Sequence, residues 1–196
     1  MAILKSIWER FDRSPPAAWR LFLACLAVLA LFNPETIAQS RESELKAAFV
    51  YNFAQFTEWP ATAYAATNAP LVIGILGDDP FGAAINDIVR GENVGGHPIE
   101  VRRLRTVSEC RDCHILFVSR SEDNRVPRIL RELRNRPILT VSDLPDFAHR
   151  GGMIALYTAE NKLRFRINAM VAKDAGIALS SKLLRLADLV ETTSYR

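Results

Sequence analysis

The chain has 196 residues, 49% of them apolar, with 25 Lys and Arg against 22 Asp and Glu for a formal net charge of +3. That length buries one core without metal or disulfide staples, and the composition excludes a disordered chain, a collagen, a coiled coil and a disulfide-framed miniprotein. A charge of +3 is too small to mark a nucleic-acid binder, and no run reaches the about 18 consecutive apolar residues of a membrane span.

The first forty residues read as a sorting signal. Lys5, Arg10, Arg13 and Arg20 precede a twelve-residue apolar run, Leu21 to Phe32, closed by Pro34. Thr36-Ile37-Ala38 then offers small residues at the −3 and −1 positions of a cleavage point. A basic region, a short apolar stretch and a small-residue site make residues 1–38 a signal peptide. The alternative is an uncleaved anchor, but twelve helical residues span about 18 Å against a hydrocarbon core of about 30 Å. The mature domain, residues 39–196, begins near Gln39, has a net charge of +2 and keeps Cys110 and Cys113 in an oxidising compartment.

Residues 42–59 place Leu45, Phe49, Phe53 and Phe56 at helical spacing, with Glu42, Lys46, Asn52 and Gln55 between them, and Pro60 ends the pattern. An Ala/Thr-rich linker leads to Leu71–Leu76, a continuous apolar run of the kind a buried parallel strand needs. Asp79-Pro80 reads as the start of a helix running to about Arg90 and burying Phe81, Ala84, Ile85, Ile88 and Val89. Gly95-Gly96 turns into a strand near Pro98–Leu104. Ile115–Val118 is a second buried strand, followed by a helix with Val126, Ile129, Leu130 and Leu133. Ile138–Val141 is a third strand. After Gly151-Gly152, Met153–Tyr157 pairs with Lys162–Ile167 around Glu160-Asn161. In the second of these strands Leu163, Phe165 and Ile167 alternate with Lys162, Arg164 and Arg166, so one face is wet. Asn168 caps a helix ended by Gly176, and Ser181 caps a last helix carrying Leu183, Leu184, Leu186, Leu189 and Val190. Strand and helix alternate from 71 to 141. The expected fold is a single three-layer α/β domain with a mostly parallel sheet, a C-terminal antiparallel hairpin and flanking helices.

Ligands of open α/β sheets sit beyond the carboxyl ends of the strands. There the chain offers Asp78, Phe81, Ser119 and Asp143 as candidate ligand-binding residues. The turn Gly77-Asp78-Asp79-Pro80-Phe81-Gly82 is no phosphate fingerprint, because its two aspartates would repel a phosphate at a helix start. Its plain reading is a strand-turn-helix with a capping Asp79. A phosphoacceptor site would need a further Asp where Ser119 stands. Cys110-Arg111-Asp112-Cys113 is a CxxC that leads into a strand, so no helix dipole lowers a thiol pKa there. It is a candidate disulfide or a pair of inert thiols, with a redox pair as the alternative. Zinc would need two more ligands, and only His97, His114 and His149 exist to supply them. No metal site and no cofactor are therefore expected. The GxSxG elbow is absent. Arg125, Arg128, Arg131, Arg134 and Arg136 form the densest basic cluster, which a solvated helix face explains.

Three stretches together resemble the YfiR family of Gram-negative periplasmic proteins. The first is LKAAFVYNFAQFTEWP at 45–60. The second comprises GDDPFG at 77–82, CHILFVS at 113–119 and LTVSD at 139–143. The third comprises GGMIAL at 151–156, NKLRFRIN at 161–168 and SSKLLRLA at 180–187. The resemblance spans about 45–190. It implies a secreted α/β domain that regulates rather than catalyses, restraining a membrane diguanylate cyclase from the periplasmic side and so lowering cyclic-di-GMP and biofilm formation. Cys113 fits the family pattern better than Cys110, and the extra cysteines that staple some members are absent, so no disulfide role transfers. No binding residue is carried over, since the shared motifs read as core, caps and turns.

The expected partner is the periplasmic domain of a membrane diguanylate cyclase or sensor kinase. A homodimer stays open, and nucleic acid is not expected. The alternatives are a small-ligand receptor with its pocket at Asp78, Phe81, Ser119 and Asp143, and a thiol-disulfide protein at Cys110 and Cys113.

Overall fold

The structure, a computed structural model, describes residues 34–190. Within the described residues the chain divides into two units between Ser40 and Arg41. The first 33 residues of the expected signal peptide lie outside the described part, while residues 34–38 are helical.

Helix α1 (Pro34–Gln55) is followed by β1 (Thr57–Glu58), β2 (Leu71–Leu76), α2 (Ala84–Val89), β3 (Asn93–Val94) and β4 (His97–Leu104). Then come β5 (Ile115–Val118), α3 (Val126–Glu132), β6 (Leu139–Ser142), β7 (Ile154–Ala159) and β8 (Lys162–Ile167). The chain continues through α4 (Ala169–Asp174), β9 (Ala178–Leu179), α5 (Ser181–Leu186) and β10 (Asp188–Leu189). Eight strands form one sheet in the order β10-β8-β7-β6-β5-β2-β4-β3, and β1 pairs with β9 in a small antiparallel sheet. The five strands from β4 to β7 run parallel. The hairpin strand β8 is antiparallel to β7 and parallel to β10, and the edge strand β3 is antiparallel to β4, as expected of a mostly parallel sheet with a C-terminal hairpin.

Every residue of β2, β5 and β6 is buried, so their alternation sorts side chains between two cores. Leu71, Ile73 and Ile75 join Ile115, Phe117, Leu139 and Val141 in one core, against α1, α2, α4 and α5. Val72, Leu76, Leu116 and Val118 face the other, with Val126 and Ile129 of α3 and with Phe147. This is the three-layer arrangement, and each Leu or Ile fully buried in it contributes about 1.5–3 kcal/mol.

Several boundaries differ from the sequence reading. Helix α1 stops at Gln55 rather than at Pro60, because Thr57–Glu58 pairs with Ala178–Leu179. Its buried face is Lys46, Ala47, Val50, Phe53 and Ala54, while Leu45 is 45% exposed. The apolar side is thus rotated away from Leu45, and a lysine takes an inward position. Helix α2 starts at Ala84 and not at Asp79. Asp79 Oδ1 accepts the N–H groups of Phe81 (2.8 Å) and Gly82 (3.2 Å) in a local turn. Arg103 clamps that turn through Asp79 Oδ2 (3.0 Å) and the Gly82 carbonyl (2.9 Å), and the φ of +57° at Gly82 breaks the helix before it begins. The last helix is capped by Ser180, whose Oγ accepts the Leu183 N–H at 3.2 Å, in place of Ser181. Other features match. The hairpin turns at Glu160 and Asn161, φ 52° and 58°, the two left-handed residues that a tight hairpin turn demands. Asn168 Oδ1 accepts the Val171 N–H at the start of α4.

Gly152 marks where packing excludes a side chain: a Cβ there would lie 2.2 Å from the Phe147 ring. Phe147 is fully buried, and its carbonyl accepts the Gly152 N–H at 2.9 Å, so ring and backbone have little room to part. Gly152→Ala is expected to lower the unfolding free energy by about 1–3 kcal/mol, the usual cost of overpacking, as read from the urea midpoint. Gly176→Ala, in open space but at φ +74°, tests the separate cost of left-handed strain.

Candidate functional site

The strand order reverses between β2 and β5, since β4 lies on one side of β2 and β5, β6 and β7 on the other. In doubly wound sheets the crevice at such a switch point, beyond the carboxyl ends, is where ligands sit. Here the chain fills its own crevice. Gly77 leaves β2 at φ +87°, and a Cβ on it would lie 2.4 Å from Ser121 Oγ and 2.9 Å from Glu122 Cγ. Ser121 Oγ accepts the Asp78 N–H at 3.0 Å, and Ser119 Oγ accepts the Ser121 N–H at 3.5 Å. The loops after β2 and β5 are therefore stitched to each other.

The four candidate residues serve different local ends. Asp78 is exposed on the rim. Phe81 is buried, with its ring edge-on to Phe117 at 4.7 Å. Ser119 is buried and spends its hydroxyl on the turn. Asp143 is buried and ionic: its Oδ2 meets Lys46 Nζ at 2.8 Å and Arg120 Nε at 3.2 Å. Arg120 Nη2 also donates to the Asp143 carbonyl at 3.1 Å, and Glu42 meets Lys46 at 2.7 Å. No hydrogen bond among the described residues joins any two of the four. Ser121 links Asp78 to Ser119, and Asp143 is held from elsewhere.

Lys46 and Arg120 are the residues the sequence reading missed. Lys46 falls on the polar side of the expected α1 stripe, and only its pairing with a residue 97 positions away turns it inward. Arg120 sits in a turn that reads as polar surface. The Lys46–Asp143 pair fastens α1 to the end of β6. Removing Lys46 leaves the buried Asp143 carboxylate with only the more exposed Arg120, so the cost falls at the low end of the about 3–5 kcal/mol of a broken buried pair, whereas replacing both members with apolar residues is far milder.

Cys110 and Cys113 are buried free thiols. Hydrogen bonding to Cys113, then burial, drive the Cys110 pKa well up, against a weaker opposing effect of Arg136. The thiolate that redox exchange requires is therefore disfavoured. Arg136 ties this loop down through the carbonyls of Cys110 (2.6 Å) and Arg111 (3.0 Å).

A second cluster, unforeseen from sequence, lies at the amino ends of β2, β4 and β5. Tyr64 stacks on His97 at 3.8 Å and leans on His114 at 4.3 Å. Trp59 meets His114 edge-on, and its Nε1 donates to the His114 carbonyl at 3.1 Å. His114 Nδ1 accepts the Val72 N–H at 3.1 Å, which leaves the hydrogen of the neutral ring on Nε2. Burial, and then the neighbouring charge of His97, push its pKa down to about 4, with Asp112 opposing. Among the described residues no group of three or more His, Cys, Asp or Glu side chains could hold a metal.

Fold and site together define a doubly wound α/β domain in which Ser119, Ser121 and Asp143 at the carboxyl ends hold loops and helix in place, while Asp78 stays on the exposed rim. The chain belongs to the YfiR/HmsC-like family, whose model matches residues 43–188. No curated protein matches the chain. At family level this is a periplasmic regulatory protein of the cyclic-di-GMP system that interacts with a membrane partner, and no described helix is long and apolar enough to cross a membrane.

Two measurements probe these clusters. Lys46→Met is expected to cost about 3 kcal/mol of unfolding free energy, and the double variant Lys46→Met/Asp143→Leu distinctly less than the sum of its single changes, by denaturant titration. The His114 contribution has a definite sign. A folded pKa below the unfolded value of about 6.5 gives stability that is complete above pH 6.5 and is lost as pH falls toward 4. Wild-type protein should lose about 2–3 kcal/mol more across that window than His114→Asn, whose side chain does not titrate.

Proposed function

We propose that this chain is exported by cleavage after Ala38 and restrains a membrane diguanylate cyclase by binding its periplasmic domain, lowering cyclic-di-GMP and with it biofilm formation. The observation that carries the reading is the family match over 43–188. The signal-like pattern of residues 1–38 supports it, because it puts the domain on the side of the membrane where the partner's sensory portion lies. The crevice filled by Ser121 supports it as well, since a chain that closes its own switch point acts through its surface.

Two basic surfaces stand out in the sequence, the wet face of β8 with Lys162, Arg164 and Arg166, and the arginines of residues 125–136. On β8, Arg164 pairs with Glu160 at 3.2 Å, and Arg166 lies 4.2 Å over the Tyr157 ring and donates to the Pro145 carbonyl at 3.3 Å. That face is largely self-satisfied. The C-terminal elements α4, α5 and β10 instead expose Met170 (57%), Leu186 (69%) and Leu189 (58%), with Lys173, Lys182 and Arg185 on the same helices. Apolar anchors rimmed by charge are what a partner's domain docks on. Control requires that the chain bind the inactive cyclase more tightly than the active one.

Deletion of the gene should raise cellular cyclic-di-GMP and surface attachment, and re-expression of the wild-type chain should reverse both. Met170→Asp/Leu186→Asp should fold and reach the periplasm yet fail to restore restraint. Unchanged cyclic-di-GMP after deletion, with loss of ligand response in a co-encoded sensor kinase, would replace the cyclase with that kinase.

A further inference from the structure

The arginines of residues 125–136 are not equivalent. Arg125 meets Glu122 at 2.8 Å, Arg128 meets Glu132 at 2.8 Å, and Arg136 is spent on two carbonyls. Among the described residues, Arg131 and Arg134 have no ionic or hydrogen-bonding side-chain partner. Both line the same cleft of about 600 Å³, open on one side, between the end of α3 and the end of α4, beside the starts of β6 and β7. Arg150 adds a third guanidinium to its wall, fixed in place by Asp123 and, at 3.8 Å, Asp146. Asp174 is the one carboxylate in the lining. Between these charges lie Leu133, Ile138, Val171 and Ala175, of which Leu133 and Ile138 belong to the core.

With Arg150 paired to Asp123, the two unpaired guanidiniums of Arg131 and Arg134 against the Asp174 carboxylate leave the cleft with a surplus of one positive charge, and its apolar wall has room for a compact body. A concave site of this size with a few convergent polar groups is the usual form of a small-molecule pocket. Guanidinium is matched in shape and charge to carboxylate and phosphate oxygens. We propose that this cleft binds a small amphiphilic anion, an oxyanion head held by Arg131 and Arg134 with Arg150 behind them, its apolar body against Val171, Ala175 and the floor of Leu133 and Ile138. None of its lining residues belongs to the loops at the switch point, and it shares only α4 with the exposed apolar residues of the C-terminal elements. The inference is independent of who the membrane partner is.

The test is calorimetric titration of the purified protein with octanoate and octyl phosphate as probes, against 1-octanol, which keeps the chain without the charge, and acetate, which keeps the charge without the chain. The expected result is saturable one-to-one binding of at least one anionic probe, with octanol and acetate at least tenfold weaker. The tighter of the two anions names the head group. Arg131→Ser/Arg134→Ser should weaken binding at least tenfold without changing the melting temperature, since both side chains are exposed. Asp174→Asn should tighten binding severalfold, an effect that damage to the fold does not produce. Absence of saturable binding, equal binding of octanol, or affinity unchanged in both variants would overturn the proposal.

Discussion

Everything in this molecule is arranged around a strand with no wet side. All six residues of β2 are buried, so the strand needs a partner layer on both faces and a bonded neighbour on both edges. The close approach at Gly74 shows how tight the result is. A Cβ there would come within 2.8 Å of Leu104 and 2.9 Å of Cys113. The burial of the two cysteines follows from the same geometry, since Cys113 occupies the space Gly74 vacates. Their inaccessibility is thus a by-product of packing rather than a separate feature of the loop.

The same constraint governs the ends of the strands. Loops leaving a doubly buried sheet carry backbone groups that need partners. After β2 and β5 these are found mutually, through Ser121 and Asp79, and through Arg103 reaching across from β4. After β6 the charge of Asp143 is met by Lys46 and Arg120. In related architectures this rim is where chemistry occurs, and here its polar groups are consumed in joining layers. That accords with a family whose members regulate, because a regulator must transmit the state of its surface. The surfaces proposed for a partner and a ligand lie instead at the periphery, on the C-terminal elements and in the cleft between α3 and α4.

Most of the fold was legible because its signals are local. The run ILFV at 115–118 bounded by polar residues, the alternation in KLRFRI and the cap at Asn168 each depend on a few neighbouring residues. What was not legible depends on distant pairing. The register of α1 on the core could be phased by Leu45 or by Lys46, and an ion pair to residue 143 decides it. Asp79 has the credentials of a helix cap, but a guanidinium from β4 and a left-handed Gly82 convert it to a turn. The four carboxyl-end candidates were chosen by a rule about where ligands sit, and the rule does not reveal whether the chain has already filled the place. The cleft was invisible for a related reason. It is assembled from residues near 131, 138, 150 and 174, and in sequence Arg131 and Arg134 look no different from Arg125 and Arg128. Only the placing of Glu122 and Glu132 tells the paired from the unpaired.

The sheet ends in β3 on one side and β10 on the other, each two residues long. Each covers only two residues of the longer strand beside it, β3 against His97 and Pro98 of β4 and β10 against Arg166 and Ile167 of β8. The uncovered lengths carry Glu100, Arg102 and Arg103 on β4 and Lys162 and Arg164 on β8, the kind of edge charges that keep native sheets from fusing edge to edge. For a protein that works by contact with others, this narrows one route of recognition. An extended segment laid alongside the sheet, the mode in which main-chain bonding supplies most of the affinity and discriminates weakly, would have to match those charges, so a partner at either edge must read side chains as well as main chain. Substitutions at a handful of surface positions could then re-address the domain from one membrane partner to another while its interior stays the same.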